Sequence, residues 1–372
     1  MSLAILVMVG GGGESQAERL LTQAQQAAAR DLLDRLQNQP TGALFISAPT
    51  FDWLPASFPA RRLPDDPARP FHFGQILADL IQGESLERLL YFGGASAPLL
   101  DETLAEMLLG LIGTAGHPDS SIPARMAVTN NPHSSDWLAF TDAQTAAPLL
   151  RQQERDNSLA WVLKQNGWQV RSLAGIRPSV NFDLDTPSDL AILRQHPYCP
   201  PHLSQILSTP ILDSIPVEAV LNILGREGSQ VALIGRVSPT AWIALNKVSQ
   251  CWVRVYAEER GMVASRREQR GEVRSLLAEL LRLKGPSDFF AYLATLCEAA
   301  IVDSRVLLAD GGRFFSRADR FAADLYQVAE IQDPWLREFT AAAQAAPIPI
   351  LLGGHGLVAG GLHVLSEILA WR

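Results

Sequence analysis

The chain of 372 residues, 47% apolar and 19% charged, carries enough hydrophobic material for two packed domains. Its net charge of −8 is scattered in both signs, so it offers no basic face of the kind nucleic acid or an anionic membrane selects, and neither partner is expected. Cys199, Cys251 and Cys297 are too few and too widely spaced for a disulfide framework or a zinc site, which points to a reduced, cytoplasmic protein.

The first apolar run, "LAILVMVGGGG", is too short to span a bilayer and lacks the basic flank of a signal peptide, so it reads as a buried strand. From there short apolar runs alternate with helix-period segments. Strands are predicted over 3–9, 43–47, 89–92, 125–129, 169–173 and 180–184, with helices over 15–36, 74–81, 101–112, 157–166 and 187–195. That alternation specifies an α/β domain, a mainly parallel sheet with crossover helices, over 1–197. The five prolines of "HPYCPPHLSQILSTPILDSIP" mark a linker over 198–216. A second α/β or α+β domain follows over 217–372, with strands over 230–237, 252–256 and 348–352 and helices over most of 268–300 and 317–345.

Several loops carry candidate chemistry. "VMVGGGGESQAERLL" is strand, glycine loop and helix, and Gly10, Gly11, Gly12 and Gly13 read either as backbone amides cradling a phosphate or as a tight turn. "LLYFGGASAPLLDETLAEMLL" repeats the plan with small residues, Gly94 and Ser96 among them, where open α/β sheets form their crevice. After the next strand, Asn130, Asn131, His133 and Asp136 form a dense polar cluster suited either to hydrogen-bonding a base or sugar or to capping a turn. In "VNFDLDTPSDLAIL" an alternating strand places Asp183 and Asp185 on one face, and Thr186-Pro187-Ser188-Asp189 then starts a helix. This is either a metal site or a well-made turn. In the second half "LLGGHGLVAGG" reads as strand, glycine turn and close-packed helix, with His355 at the helix start, and "IGRVSP" and "YAEERGM" set charged residues beside strands.

Taken in order, "GGGGES", "GGASAPLL" and "FDLDTPSDL" resemble the three loops of nucleotidyltransferases of the nucleotide-diphospho-sugar transferase fold, with the molybdenum-cofactor guanylyltransferase and phospholactate guanylyltransferase branches nearest in pattern. The resemblance covers a little over half the chain. It implies a three-layer α/β fold and transfer of a nucleotidyl group from a nucleoside triphosphate to a phosphorylated or sugar acceptor. It further implies that Asp185 and Asp183 hold Mg²⁺ and do the catalytic work, that Gly10 to Gly13, Gly94, Ser96 and Arg19 receive the nucleotide or nucleotide sugar, and that Asn130, Asn131, His133 and Asp136 face the acceptor. Two departures stand out. No lysine precedes Lys164, and Ala95, Ser96 and Ala97 occupy the place of the family's aspartate in the second loop. They open the alternative of a nucleotide-binding or regulatory protein that keeps the fold without the catalysis.

Overall fold

The computed structural model describes residues 3–39, 42–66, 70–114, 123–173 and 178–372. The chain forms two compact units. The first comprises Met1–Gly11, Gln25–Asp183 and Pro200–His202, the second Gly12–Ala24, Leu184–Cys199 and Leu203–Arg372.

In the first unit β1 (Leu3–Met8), β2 (Ala43–Ala48), β3 (Arg61–Pro64), β4 (Arg88–Gly93), β5 (Met126–Thr129), β6 (Trp137–Thr141) and β7 (Gln169–Ser172) form one sheet in the order β3-β2-β1-β4-β6-β5-β7. Only β6 runs antiparallel to its neighbours β4 and β5. The central strands are apolar at almost every position because both of their faces are covered. Ile5, Val7, Leu90 and Phe92 pack with Leu32, Leu33 and Leu36 of the helix Gln16–Leu36 and with Leu104, Leu108 and Ile112 of the helix Glu102–Thr114. Their sequence neighbours Leu6, Met8, Leu89 and Tyr91 face the opposite way, onto Leu77 and Ile81 of the helix Phe73–Gly83 and Leu159 and Leu163 of the helix Leu159–Gln165. Period-2 side-chain direction thus produces three layers.

From β1 the chain steps outward through β2 to β3, then returns to place β4 on the other side of β1. Loops leaving β1 and β4 therefore diverge, and a crevice opens at their carboxyl ends.

The strand predicted over 180–184 is not formed. Residues Pro178–Asn181 make a short helical turn, and among the described residues the sheet-like contact of this segment is a single bridge between Ser96 and Asp183. The apolar alternation does mark burial, since Val180, Phe182 and Leu184 are all buried, but among the described residues no strand pairs with the segment. Individual bonds hold it instead: the Trp137 indole donates to the Val180 carbonyl at 3.0 Å, and the Ala97 amide to the Phe182 carbonyl at 3.0 Å. The stretch read as a linker over 198–216 is also ordered. It carries the helix Pro201–Leu207 and the 3-10 turn Pro210–Ser214, each opening on a proline, and it buries Leu203, Leu207 and Leu212.

The second unit has a smaller, wholly parallel sheet of β8 (Gln230–Gly235), β9 (Trp252–Ala257), β10 (Ala299–Asp303) and β11 (Ile350–Gly353), ordered β11-β10-β8-β9. It too starts in the middle and reverses, between β8 and β10. The helical expectation over 268–300 holds only for Leu276–Lys284 and Pro286–Leu296, because its last residues enter β10. No helix among the described residues is long and apolar enough to cross a membrane.

Candidate active site

At the β1/β4 reversal lies a cavity of about 170 Å³ lined by Val9, Gly10, Gln25, Gly93, Gly94, Ala95, Ser96, Asp136, Asp156 and Asp183. That volume encloses one end of a nucleotide rather than the whole, drug-sized sites being several hundred Å³. Four of the loops singled out in the sequence meet here, Asp136 coming from the polar cluster before β6. Gly10 follows β1, Gly94 and Ser96 follow β4, and Asp183 is tied to the second loop by its bridge to Ser96.

Gly94 is required by close approach. A Cβ at this position would lie 2.7 Å from the Val9 side chain and 3.0 Å from Val9 Cα, while the Gly94 amide donates to the Met8 carbonyl at 2.6 Å. Gly94→Val is expected to push the two loops apart, with a loss of about 1–3 kcal/mol in denaturant unfolding and loss of nucleotide binding. Unchanged affinity in a folded variant would move the ligand out of this crevice.

The electrostatics of the cavity are acidic. Asp136, Asp156 and Asp183 are all half-buried, and among the described residues that line the cavity there is neither lysine nor arginine. Tyr91 registers their combined field. Burial, then the charge and hydrogen bond of Asp156, then Asp136 and Asp183, push its phenol well above the usual tyrosine range, and its hydroxyl donates to Asp156 at 3.0 Å. Asp156, in the turn Asp156–Ser158, and Gln25 were not foreseen from the sequence. In Asp156-Asn157-Ser158, just before a helix, Asp156 carries the signal of a capping residue and nothing more.

Of the polar cluster, Asp136 alone lines the cavity. Asn130 is buried and bonded in both directions to Asp136. The His133 amide donates to the Asn131 side chain at 3.0 Å, and the His133 ring packs on Trp161 at 5.1 Å between centroids. These bonds build the turn between β5 and β6.

Gly11 stays with the first unit, but from Gly12 onward the first loop belongs to the second. Gly12 and Gly13 have φ of +128° and +132°, and a Cβ on Gly13 would meet Glu18 Cβ at 2.3 Å. The start of the helix Gln16–Leu36 already holds an anion. Glu18 accepts from the amides of Glu14 (3.2 Å) and Ser15 (3.1 Å) and from the Ser15 hydroxyl (2.9 Å). Desolvation raises this carboxyl, but the bonds from Ser15 and Glu14 and the charge of Arg317 outweigh it and hold the group below the usual range. Arg19 donates to the Glu14 carbonyl of its own loop.

Asp185 likewise lies in the second unit. It retains solvent-accessible surface, yet desolvation raises its carboxyl against the opposing charges of Arg317, Arg236 and Arg305. Asp189 is fully buried at the start of the helix Pro187–Arg194, where one oxygen accepts from the amides of Asp185 (3.2 Å) and Thr186 (2.8 Å) and from the Thr186 hydroxyl (2.8 Å). Its other oxygen has no hydrogen-bond partner among the described residues. Desolvation and the charge of Asp185 raise this carboxyl to about 7 against those bonds. An acid whose pKa is higher folded than unfolded binds more protons in the folded state, so its contribution to stability is lost as pH rises from about 4 to about 7. Asp189→Asn is expected to flatten that part of the stability profile. Urea midpoints between pH 4 and 7 that fall equally steeply in the variant would assign the slope to another group.

No family model matches the chain, and no curated protein matches it. Among solved structures it is similar to a bifunctional IspDF from Campylobacter jejuni (9% identity, TM-score 0.37), a likeness covering 51% of this chain and 53% of the other. It is also similar to 2-C-methyl-D-erythritol 4-phosphate cytidylyltransferase from Thermus thermophilus (16% identity, TM-score 0.33, covering 50% and 93%). A cytidylyltransferase from Leptospira borgpetersenii gives 13% identity and a TM-score of 0.36, covering 52% and 86%.

Proposed function

We propose that the first unit is a nucleotidyltransferase, moving a nucleotidyl group from a nucleoside triphosphate to a phosphorylated or sugar acceptor. The observation that carries the proposal is the meeting of the loops after β1 and β4 with Asp183 around one cavity at the sheet's reversal. In such a transfer an acceptor oxygen bonds to the α-phosphorus while the bond to the bridging oxygen of pyrophosphate breaks.

Asp136, Asp156 and Asp183 line the cavity, and a cation bound with a triphosphate would carry its negative charge past these carboxylates. Among the described residues no group of three or more His, Cys, Asp or Glu could hold a metal on its own. Mg²⁺ does not require such a cage, since it commonly takes one or two carboxylates together with substrate phosphates, so the hard oxygen donors present fit it. Asp183 would hold it with Asp136, and when bound it supplies the positive charge that phosphate oxygens need there. Gly10 would offer its amide to a phosphate oxygen. Gly94 keeps the loops close enough for the ligand to reach both, and Tyr91 orients Asp156 toward the acceptor side through their hydrogen bond.

A second reading, a nucleotide- or nucleotide-sugar-binding protein without catalysis, is favoured by the Ala95-Ser96-Ala97 sequence of the second loop. Pyrophosphate release from each nucleoside triphosphate, with Mg²⁺ and a panel of sugar phosphates, separates the two. Turnover supports the enzyme. A Mg²⁺-dependent thermal stabilisation of about 2.7 kcal/mol at a hundredfold excess over Kd, without turnover, supports the binding protein. Neither response would contradict both.

A further inference from the structure

The second sheet has its own reversal, between β8 and β10, and the charges around it have no part in the first unit's reading. Arg236, directly after β8, donates from Nε (2.6 Å) and Nη2 (3.0 Å) to the carboxylate of Asp303, the last residue of β10. Gly235 makes that approach possible: its φ is +107°, and a Cβ there would lie 2.5 Å from Asp303 Cβ. Two residues further on, Arg305 donates to both oxygens of the buried Asp324 and, at 2.9 Å, to Ser304. In each pair one guanidinium answers one carboxylate, so Asp303 and Asp324 are already matched.

Other arginines in the same region are not. Arg317 and Arg320 stand at i and i+3 of the helix Arg317–Asp324, whose final residue Asp324 holds Arg305, so these side chains share one helical stripe. Among the described residues Arg317 and Arg320 form no ion pair, and the buried Nε of Arg320 has no hydrogen-bond partner. Arg260, after β9, forms none either. Burial, followed by the like charge of Arg305 and, more weakly, Arg317, lowers the Arg320 guanidinium from its ordinary value against the opposing charges of Glu268 and Asp324. Glu18, Asp185 and Glu268 face these arginines electrostatically without pairing with them, and cations not locked into ion pairs are the complement of an anion carrying several oxygens. Beyond β11, His355 is kept neutral: desolvation and the charge of Arg236 push its imidazole down to about 4. The imidazole therefore retains a donor nitrogen without adding charge.

We propose that the carboxyl edge of the second sheet is a separate, metal-independent site for a phosphate-bearing small molecule, held by Arg317, Arg320 and Arg260 with His355 as a hydrogen-bond donor. The position follows the rule that open parallel sheets bind ligands where their strand order reverses, and the paired Arg236–Asp303 and Arg305–Asp324 form its rigid floor. Asp185 faces Arg317, Arg236 and Arg305, and acts as the carboxylate that an incoming anion must outcompete.

The test is calorimetric titration of the full chain with inorganic pyrophosphate in metal-free buffer containing EDTA. Saturable binding is expected, weakened about tenfold or more by Arg317→Ala, strengthened by Asp185→Asn, and unchanged by Asp183→Asn. Arg317 is exposed, so its replacement leaves the fold intact. Absence of saturable binding to the unaltered chain, equal affinity in Arg317→Ala, weaker binding in Asp185→Asn, or loss of binding in Asp183→Asn would each overturn the proposal.

Discussion

Replacing Asp303 with alanine is expected to destabilise the second unit by about 3–5 kcal/mol, the effect of leaving one member of a buried ion pair without its partner. Asp303 has no exposed surface, and Arg236 is nine-tenths buried beside it. Their mutual attraction and hydrogen bonds overcome the desolvation that opposes ionisation and hold the Asp303 carboxyl below its usual range. A carboxylate depressed in this way stabilises the fold above its unfolded pKa, and that contribution is lost as pH falls through the folded value. Arg236→Met combined with Asp303→Leu should recover most of the loss, because removing both charges leaves none unpaired. Urea unfolding of the three proteins checks this. A loss below about 1 kcal/mol in Asp303→Ala would mean that water reaches the Arg236 guanidinium.

The second large effect is functional. Asp183→Asn removes a charge from the cavity and leaves its backbone bridge to Ser96 available, so Mg²⁺-dependent pyrophosphate release should fall by about a hundredfold or more, the scale of losing one electrostatic contact to a reacting group. Thermal stability should change by less than about 1 kcal/mol. Paired measurements of turnover and melting on one preparation distinguish the roles. A large loss of stability with turnover retained would make Asp183 a structural residue of the loop.

The residues differ in how much of this they disclosed. The strands β1, β2 and β4 were legible because burial on both faces leaves near-continuous apolar runs such as "LAILVM" and "RLLYFG". The antiparallel β6 was hidden behind Asn130 to Asp136, a turn cluster with no short-range sign that the chain doubles back. The strand β10, "AAIVD", was absorbed into a helix-period stretch because its alanines favour helix locally, and only pairing with β8 and β11 overrides that. The edge strand β3 is largely exposed and carries two arginines, so it had no apolar pattern to read.

The site was legible as an order of loops but not as a set of side chains. Gly10, Gly94, Ser96, Asp136 and Asp183 meet around the cavity, but Asp156 arrives from a distant turn that no spacing rule connects to β4. Arg19 and the helix start behind the glycines were expected to receive phosphate, yet Glu18 caps that terminus from within the same turn. Asp183 and Asp185, two residues apart, suggested a shared face only while residues 180–184 were taken as a strand. Without the strand, the two carboxylates belong to different compact units and to different electrostatic surroundings.

Crystals soaked with Mn²⁺ and a non-hydrolysable nucleoside triphosphate analogue test the first unit's assignment most directly, because anomalous scattering locates the metal independently of turnover. The expected result is an anomalous peak beside Asp183 and Asp136, with phosphate density in the crevice between the loops after β1 and β4. Nucleotide and metal bound elsewhere, with that crevice containing only solvent, would contradict it.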